Sequence, residues 1–407
     1  MFGLLIATVC GFVSFSGLDD TLLPDANLEQ AVREAIGKPA GKLTSSDLVE
    51  LRKLEARERG IVNLEGIQYC TSLEELYLGS ESQAATPNQI TDISALAGLT
   101  NLTGLNLTNN EIIDISPLAG LTHLVYLSLY NNEIIDISPL AGLANLIYLY
   151  LSGNEIIDMT SLAGLANLEQ LWLRDNEIID ISPVSGLTHL TQLDLNGNEI
   201  IDISALAGLT HLVRLDLNSN EIVNISSLAE LTQLTYLYLG GNGIVEINPL
   251  ARLTNLTELR LRDNEIIDIS PVSGLTHLMQ LDLNGNEIVD IHSLAGLTHL
   301  LQLDLNDNVV ADISPLVGLT SLTELFLHGN EIVDIGPIAG LVNLRELDLD
   351  NNEIVDISPL VSNAGIDSGD EVDIRWNRLI LTSGSQDMHN IQVLQARDVS
   401  INYDPDD

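Results

Sequence analysis

Histidines are the first residues of this chain whose spacing could support chemistry. Five of the eight share one position of a sequence period of 22 residues: His123, His189, His211, His277 and His299. Two imidazoles from adjacent periods would supply half of a tetrahedral metal site. Asparagine occupies the same position in other periods, as at Asn145 and Asn167. We therefore interpret this column as a polar structural position, and we predict no metal site and no cofactor.

Acidic residues are the second candidate, because 58 acids face 16 basic residues and the net charge is −42. Two columns repeat with the period. The glutamates are Glu111, Glu133, Glu155, Glu177, Glu199, Glu221, Glu265, Glu287, Glu331 and Glu353. The aspartates are Asp114, Asp136, Asp158, Asp180, Asp202, Asp268, Asp290, Asp312, Asp334 and Asp356. Neither column has the clustered acids of a calcium loop, so we predict a solvated loop edge, with calcium binding as the less favoured alternative.

The same acids argue against several classes of function. A strongly negative surface repels nucleic acid and anionic membranes, and we predict neither as a partner. Carboxylates are so numerous that no pair stands out as catalytic, and no nucleophile–base pair or phosphate-binding glycine loop is recognisable. We therefore predict that the protein is not an enzyme.

Aromatic and arginine side chains are the remaining candidates, and they predict a protein-binding surface. They occur beside a repeated Leu-x-Leu motif, where side chains point away from the core. The candidate site residues are Tyr126, Tyr130, Tyr148, Tyr150, Trp172, Arg174, Tyr236, Tyr238, Arg260, Arg262 and Phe326. Exposed aromatic clusters are enriched at protein interfaces. The alternative is that these rings only pack against one another over a sheet.

An internal duplication bears on this site. Residues 148–204 recur at 236–292 with few changes, although Trp172 becomes Arg260. The offset of four periods corresponds to about 19 Å at the spacing of β-strands. One interpretation is duplication without selection on the surface. The other is a single extended partner that contacts two similar patches.

The 22-residue period predicts the elements that carry these side chains. Leu-x-Leu pairs recur from Leu105 to Leu347, each followed by an asparagine five positions after the first leucine. Such a period is typical of a solenoid, in which each coil buries its apolar face against its neighbours. Leucines should point inward from parallel strands, and the asparagines should satisfy the backbone of the following turn. Ser116 and Pro117 predict a short helical turn on the opposite side, with serine as the cap.

The chain divides into four segments by composition. Residues 1–16 resemble the apolar part of a signal peptide, although they lack a basic residue. Residues 17–53 predict a helical N-terminal cap, with Asp25 and Thr44 as helix caps. About 15 coils should span 54–379, with an insertion at 81–87, and 380–407 should form a C-terminal cap. Cys70 falls on a leucine position and is predicted to be buried rather than disulfide-bonded.

The repeat unit Leu-x-x-Leu-x-Leu-x-x-Asn-x-Ile-x-Asp-Ile-x-x-Leu-x-x-Leu resembles the leucine-rich repeat family, specifically the 22-residue bacterial class found in internalins. The resemblance covers about residues 54–379. It implies an α/β solenoid, a right-handed superhelix with a parallel concave sheet, short 3-10 turns on the convex side and a helical N-terminal cap. It also implies a concave face that binds proteins, often at bacterial surfaces. No C-terminal wall anchor or adhesive domain is recognisable, which weakens the expectation of host-cell adhesion.

We accordingly predict protein–protein recognition through the concave face by a secreted or cell-surface protein. Two alternatives stay open at this point. The chain could be a structural spacer of the envelope without a selective face, or a regulatory scaffold in the cytoplasm.

Overall fold

The computed structural model describes residues 22–80 and 87–404. The leader-like segment 1–16 and most of the insertion at 81–87 lie outside these residues. Sixteen short strands form one parallel sheet in chain order. They are β1 Lys53–Glu55, β2 Glu75–Tyr77, β3 Gly104–Asn106, β4 Tyr126–Ser128, β5 Tyr148–Tyr150, β6 Gln170–Trp172, β7 Gln192–Asp194, β8 Arg214–Asp216, β9 Tyr236–Tyr238, β10 Glu258–Arg260, β11 Gln280–Asp282, β12 Gln302–Asp304, β13 Glu324–Phe326, β14 Glu346–Asp348, β15 Glu371–Asp373 and β16 Ser400–Asn402.

Short 3-10 helices occupy the side of the coils opposite the sheet. They are Ile67–Tyr69, Ser94–Leu96, Ser116–Leu118, Ser138–Gly142, Thr160–Gly164, Ser182–Gly186, Ser204–Gly208, Ser226–Glu230, Asn248–Arg252, Ser270–Gly274, His292–Leu294, Ser314–Gly318 and Gly336–Gly340. Four α-helices complete the described chain: α1 Ala26–Ala35, α2 Ser45–Leu48, α3 Ser358–Ser362 and α4 Gln386–Ala396. The predicted fold class is thereby confirmed. None of the helices in the described ranges is long and apolar enough to cross a membrane.

The register of the sheet keeps one leucine column continuous through the core. Leu127 pairs with Leu105 on one side and with Leu149 on the other, and all three are fully buried. Because side chains alternate along a strand, the residues before, between and after the two leucines of each Leu-x-Leu motif point out of the sheet on the side away from the core. We call this outward side of the sheet the concave face. It has three side-chain columns, represented in one coil by Tyr148, Tyr150 and Ser152.

Each residue of the asparagine column bonds the backbone of its own coil and of the preceding coil. Asn154 Nδ2 donates to Leu129 O at 3.0 Å and to Leu151 O at 2.9 Å, and Asn154 Oδ1 accepts from Ile134 N at 3.0 Å. The same arrangement recurs at Asn176 and Asn198. The prediction that these asparagines satisfy buried turn backbone is confirmed.

The aspartate column corrects two expectations. Asp114 Oδ1 accepts from Ser116 N at 2.8 Å, and Ser116 Oγ donates to Asp114 Oδ2 at 3.0 Å. The carboxylate therefore caps the 3-10 helix, whereas we predicted that Ser116 would do so. We predicted that the aspartate column would be only a solvated loop edge. The column is exposed, but each aspartate also accepts a hydrogen bond from the backbone N–H two residues further on. The backbone N–H of Ser138, together with its hydroxyl, lowers the pKa of Asp136 in this way.

Both ends of the solenoid are covered. Asp25 caps α1 through the N–H groups of Asn27 and Leu28, and its second oxygen accepts from Val62 N at 2.9 Å. Thr44 forms the predicted capping box of α2. At the other end α4 packs against α3, and β16 pairs with β15 as the last strand of the sheet in the described residues. Cys70 is fully buried, and burial raises the pKa of its thiol to about 12.

Candidate functional site

Three aromatic rings form a cluster on the concave face of β4, β5 and β6. Tyr150 lies between the other two: its ring centroid is 5.6 Å from that of Tyr126, with the planes at 75°, and 4.5 Å from that of Trp172. These are the edge-on and tilted geometries that aromatic rings prefer. We call these three residues the aromatic cluster.

Neighbouring polar side chains contact the aromatic cluster. Tyr150 Oη donates to Gln170 Oε1 at 2.7 Å, which holds the ring across to the next strand. Burial raises the pKa of Tyr150 to about 12, with smaller contributions from the neighbouring tyrosines. The hydroxyls of Thr108 and Ser128, which line the same depression, are hydrogen-bonded at 2.6 Å. The cluster is thus held by ring packing and a hydrogen bond, while Trp172 keeps 39% of its surface exposed.

A depression of about 420 Å³ opens over this cluster. Its walls include the aromatic cluster together with Tyr130, Arg174 and Asp194. Tyr130 is 45% exposed, and Arg174 is exposed beside Asp175 at 3.0 Å. The structure thus brings five of the predicted site residues to one depression. Tyr148 is half-buried on the same strand as Tyr150 but does not line this depression.

The duplicated patch around Tyr238 differs in structure from the aromatic cluster. We expected Tyr238 to be exposed on the concave face, and this expectation was wrong. Tyr238 is only 5% exposed because it is covered by two arginines. The guanidinium carbons of Arg214 and Arg260 lie 4.7 and 4.9 Å from its ring centroid. These positions correspond to Tyr126 and Trp172 of the first patch, so the aromatic neighbours on both sides are replaced by cations. The two patches are not equivalent, although their backbone frames are.

The remaining predicted residues are spread along the sheet. Tyr236 is 37% exposed and lies beside Arg214. Arg260 is paired with Glu258 at 2.6 Å. Arg262 is exposed and lies over Gly240, where an added Cβ would be 2.8 Å from the arginine Cγ. Phe326 is half-buried on β13, four strands beyond Tyr238.

Sequence reasoning missed a set of buried and half-buried carboxylates in the middle column of the concave face. Asp194, Asp216, Asp282 and Asp304 each accept from the backbone N–H two residues further on, at 3.0–3.1 Å. Burial nevertheless raises the pKa of all four, to about 6 for Asp194 and Asp304. The sequence signal was an Asp-x-Asn motif at the strand, which the abundance of acids obscured. This column gives the concave face anionic stretches that flank Tyr238 and its arginines.

A second missed group lies near the C-terminal end of the sheet. His328 Nδ1 is hydrogen-bonded to buried Asp350, and His328 Nε2 lies 3.6 Å from Asp307. Burial alone lowers the pKa of His328, but the bond to Asp350 and the surrounding carboxylates outweigh burial and raise it. Ligand atoms of His328, Asp348 and Asp350 lie within 4.8 Å of one another. Since His328 already bridges two carboxylates, we interpret this group as an ion-pair network.

Two residues of the histidine column, His123 and His189, line a separate groove of about 650 Å³. His123 Nδ1 is 2.8 Å from Thr100 O, and Asn145 Nδ2 donates to Thr122 O at the same distance. A carbonyl only accepts, so the imidazole donates here as the asparagine amide does. Histidine and asparagine thus make the same bond to the preceding coil, as the interpretation of a polar structural position requires.

Comparisons with known proteins agree with this architecture. A family model of leucine-rich repeats in two copies matches residues 85–120, 122–166, 166–208 and 320–362, and a second leucine-rich repeat model matches 201–244 and 254–310. Comparison with curated protein sequences gives no match. Among solved structures, an internalin (inlF) from Listeria monocytogenes is 35% identical, with a TM-score of 0.72 over 85% of this chain and 95% of that one.

Two more distant structures extend the comparison. A leucine-rich repeat protein from Leptospira interrogans is 24% identical, with a TM-score of 0.73 over 88% of this chain and 97% of that one, which shows the shared fold. The ectodomain of the Arabidopsis receptor kinase HAESA, solved with a peptide hormone, is 29% identical, with a TM-score of 0.57 over 65% of this chain and 48% of that one. With its 22-residue period and these matches, the chain belongs to the leucine-rich repeat family and to its internalin-like bacterial class.

Proposed function

We propose that this protein binds a peptide or an extended segment of another protein on its concave face, with the aromatic cluster as the anchor. Leucine-rich repeat solenoids commonly mediate protein–protein interaction. The observation that carries the proposal is the mutually packed set of Tyr126, Tyr150 and Trp172, in which two half-buried tyrosines support an exposed tryptophan. Aromatic side chains that are already ordered lose little conformational entropy on binding, and such residues dominate the energy of interfaces.

The surroundings of the depression favour a partner with a particular chemistry. Aromatic rings line it together with the charged Arg174 and Asp194. Asp216 on the next strand adds a further negative charge. A segment with an apolar or aromatic side chain near a basic residue matches this combination. The HAESA ectodomain, whose structure was solved with a peptide hormone, supports a peptide ligand for this type of scaffold.

The test is a selection from a displayed library of random linear peptides, with affinities measured by fluorescence anisotropy on the wild-type protein and on variants. The decisive variant is Tyr150→Ala/Trp172→Ala. Phe326→Ala is the matched control, because it removes an aromatic residue of the same column elsewhere. Truncating a central anchor costs about 2 kcal/mol, which is about 30-fold in affinity. Peptides that bind the double variant as tightly as the wild type would overturn the proposal.

A secreted or cell-surface location is part of the proposal. It is supported by the apolar character of residues 1–16 and by the identity to an internalin. The N-terminus of the native protein, determined by mass spectrometry, tests it. A mature chain that begins after the leader-like segment supports export, whereas an intact Met1 in protein isolated from the cytoplasm contradicts it.

A further inference from the structure

An exposed apolar stripe runs along the solenoid on a surface distinct from the concave face. Each coil contributes one residue from the segment between the asparagine turn and the 3-10 helix. The stripe consists of Ile113, Ile135, Ile157, Ile179, Ile201, Val223, Val245, Ile267, Val289, Ala311, Val333 and Val355. Its isoleucines and valines are 38–58% exposed, while the isoleucine just before each, such as Ile112, is fully buried. At strand spacing, twelve coils make the apolar stripe about 50 Å long.

Local backbone preference explains only part of this stripe. Glu133 N donates to Ile112 O at 3.0 Å, and the same bond joins the following coils, so the segment is extended and favours β-branched side chains. Threonine would meet that preference at a solvated position, as it does at Thr91. Twelve successive coils carry an apolar residue instead. Contiguous apolar surface of this extent on a soluble protein marks an interaction site.

Two rows of carboxylates border the apolar stripe in most of its twelve coils. The glutamate column lies two residues before the stripe and supplies ten coils, with Gly243 and Val309 in the other two. The aspartate column lies one residue after the stripe and also supplies ten coils, with Asn224 and Glu246 in the other two. In the described ranges, the cationic partners of these columns are Arg378, which contacts Glu353, and His292, which contacts Asp290. All three lysines of the chain precede the regular repeats. Backbone hydrogen bonds lower the pKa of Asp136 and Asp202, so these carboxylates stay charged in mildly acidic solution.

A partner that matches this surface would carry a row of apolar side chains with a row of cations on each side. Charge of the same sign disfavours a second copy of this chain at the stripe, and also an anionic membrane. The spacing between successive coils also indicates the secondary structure of the partner. An α-helix advances 5.4 Å per turn, close to the strand spacing of about 4.8 Å, whereas side chains on one face of an extended strand repeat at about 6.8 Å.

We propose that the apolar stripe is a docking surface for a cationic amphipathic helical peptide that lies parallel to the solenoid axis. Each turn of the helix places one apolar side chain over one coil, and flanking lysines or arginines meet the glutamate and aspartate columns. The mismatch of about 0.6 Å per turn reaches half a coil after about four turns, which sets the length of one docked helix at about 15 residues. The inference is independent of the concave site.

The probe is a labelled peptide of 15 leucines and lysines whose leucines fall on one helical face, with a scrambled peptide of identical composition as its control. Binding is followed by fluorescence anisotropy, and helix formation by circular dichroism. Wild-type protein should bind the amphipathic peptide at least tenfold more tightly than the scrambled one, with several peptides per chain. Increasing the NaCl concentration should weaken binding, because the ion pairs are exposed.

Two protein variants test the two halves of the surface. The first replaces all eleven isoleucines and valines of the stripe by threonine, which keeps the β-branched shape, and the second replaces the ten glutamates of the adjoining column by glutamine. Each should lose at least tenfold in affinity while keeping the far-ultraviolet spectrum of the wild type. Tyr150→Ala/Trp172→Ala is the control and should change affinity less than twofold.

Three results would overturn the inference. They are unchanged affinity of the threonine variant, equal binding of the scrambled peptide, and loss of binding in the Tyr150→Ala/Trp172→Ala control. Light scattering tests a second occupant. If the wild-type protein is a dimer and the threonine variant is a monomer, the stripe binds a second copy of the chain and not a peptide. The first two results leave the concave site untested, whereas loss of binding in the Tyr150→Ala/Trp172→Ala control would place the peptide on the aromatic cluster and support the concave site instead.

Discussion

The asparagine column allows a quantitative prediction, because the hydrogen bonds of each amide can be followed one by one. In Asn154→Ala, four backbone groups lose a partner. Leu129 O keeps the amide of Asn132 at 3.0 Å, and Leu151 O keeps the amide of Asn176 at 3.1 Å. Ser152 O, whose bond to Asn154 is the longest at 3.5 Å, keeps Asn131 N at 2.8 Å. Only Ile134 N loses its sole acceptor, Asn154 Oδ1. The expected loss is thus that of one orphaned buried donor, about 2 kcal/mol, and not that of four.

Hydrogen exchange measures this loss where it occurs. The coils of a solenoid contact only their neighbours and need not unfold together, so a global transition would blur a local effect. A loss of about 2 kcal/mol raises the opening equilibrium of the coil about 30-fold. We expect the amide of Ile134, followed by mass spectrometry on short peptides, to exchange faster by that factor, with a smaller effect two coils away.

The matched control is Asn145→Ala in the same coil. Asn145 is exposed and donates one bond, to Thr122 O at 2.8 Å, which water can replace. The Asn145→Ala variant should change the hydrogen-exchange rates less than twofold. If Ile134 keeps its protection in Asn154→Ala, or if both variants behave alike, the account of the asparagine column is refuted.

Three further predictions concern titration and reactivity. Burial raises the pKa of Asp304 to about 6, so the folded state binds more protons than the unfolded state between about pH 4 and pH 6, and stability falls as pH rises through this range. Asp304→Asn should therefore raise the melting temperature at pH 7 and leave it unchanged at pH 4; an unchanged value at pH 7 would contradict this. The raised pKa of His328 gives stabilisation that is complete below the unfolded value near 6.5 and is lost as pH rises through the folded value. His328→Gln should lower the urea midpoint at pH 6 more than at pH 9, and equal losses at both would argue against the ion-pair network. In a Cys10→Ser background, Cys70 should resist iodoacetamide at pH 8 until urea is added, because burial raises its pKa to about 12; rapid alkylation of the folded protein would show that the site is open.

The sequence predicted the scaffold because the scaffold is local and repetitive. A leucine at the same place in every coil must face the same core, and an asparagine at the turn meets the same backbone groups each time. The capping aspartates were assigned less well. Asp114 and Ser116 are both good helix caps, and only the geometry of the turn shows that the carboxylate accepts the backbone bond while the serine hydroxyl donates to it.

Exposure within the outward columns could be predicted only in part. The pair Ile112 and Ile113 reads as two apolar residues in succession, and the sequence does not say that the second faces solvent. The apolar stripe was missed for that reason. The buried and half-buried aspartates of the concave face were missed as well, since their burial depends on side chains contributed by coils 22 residues away.

Tyr150 and Tyr238 separate what the sequence determines from what the tertiary structure decides. Their positions in the repeat are identical, so the period alone places both on the concave face. Tyr150 is left half-exposed between two aromatic rings, and Tyr238 is covered by two arginines. The difference arises because the exposure of an outward side chain is set by the length, shape and charge of its neighbours on the adjacent strands. The sequence fixes the backbone position of each side chain, and packing between coils decides which of them a partner can reach.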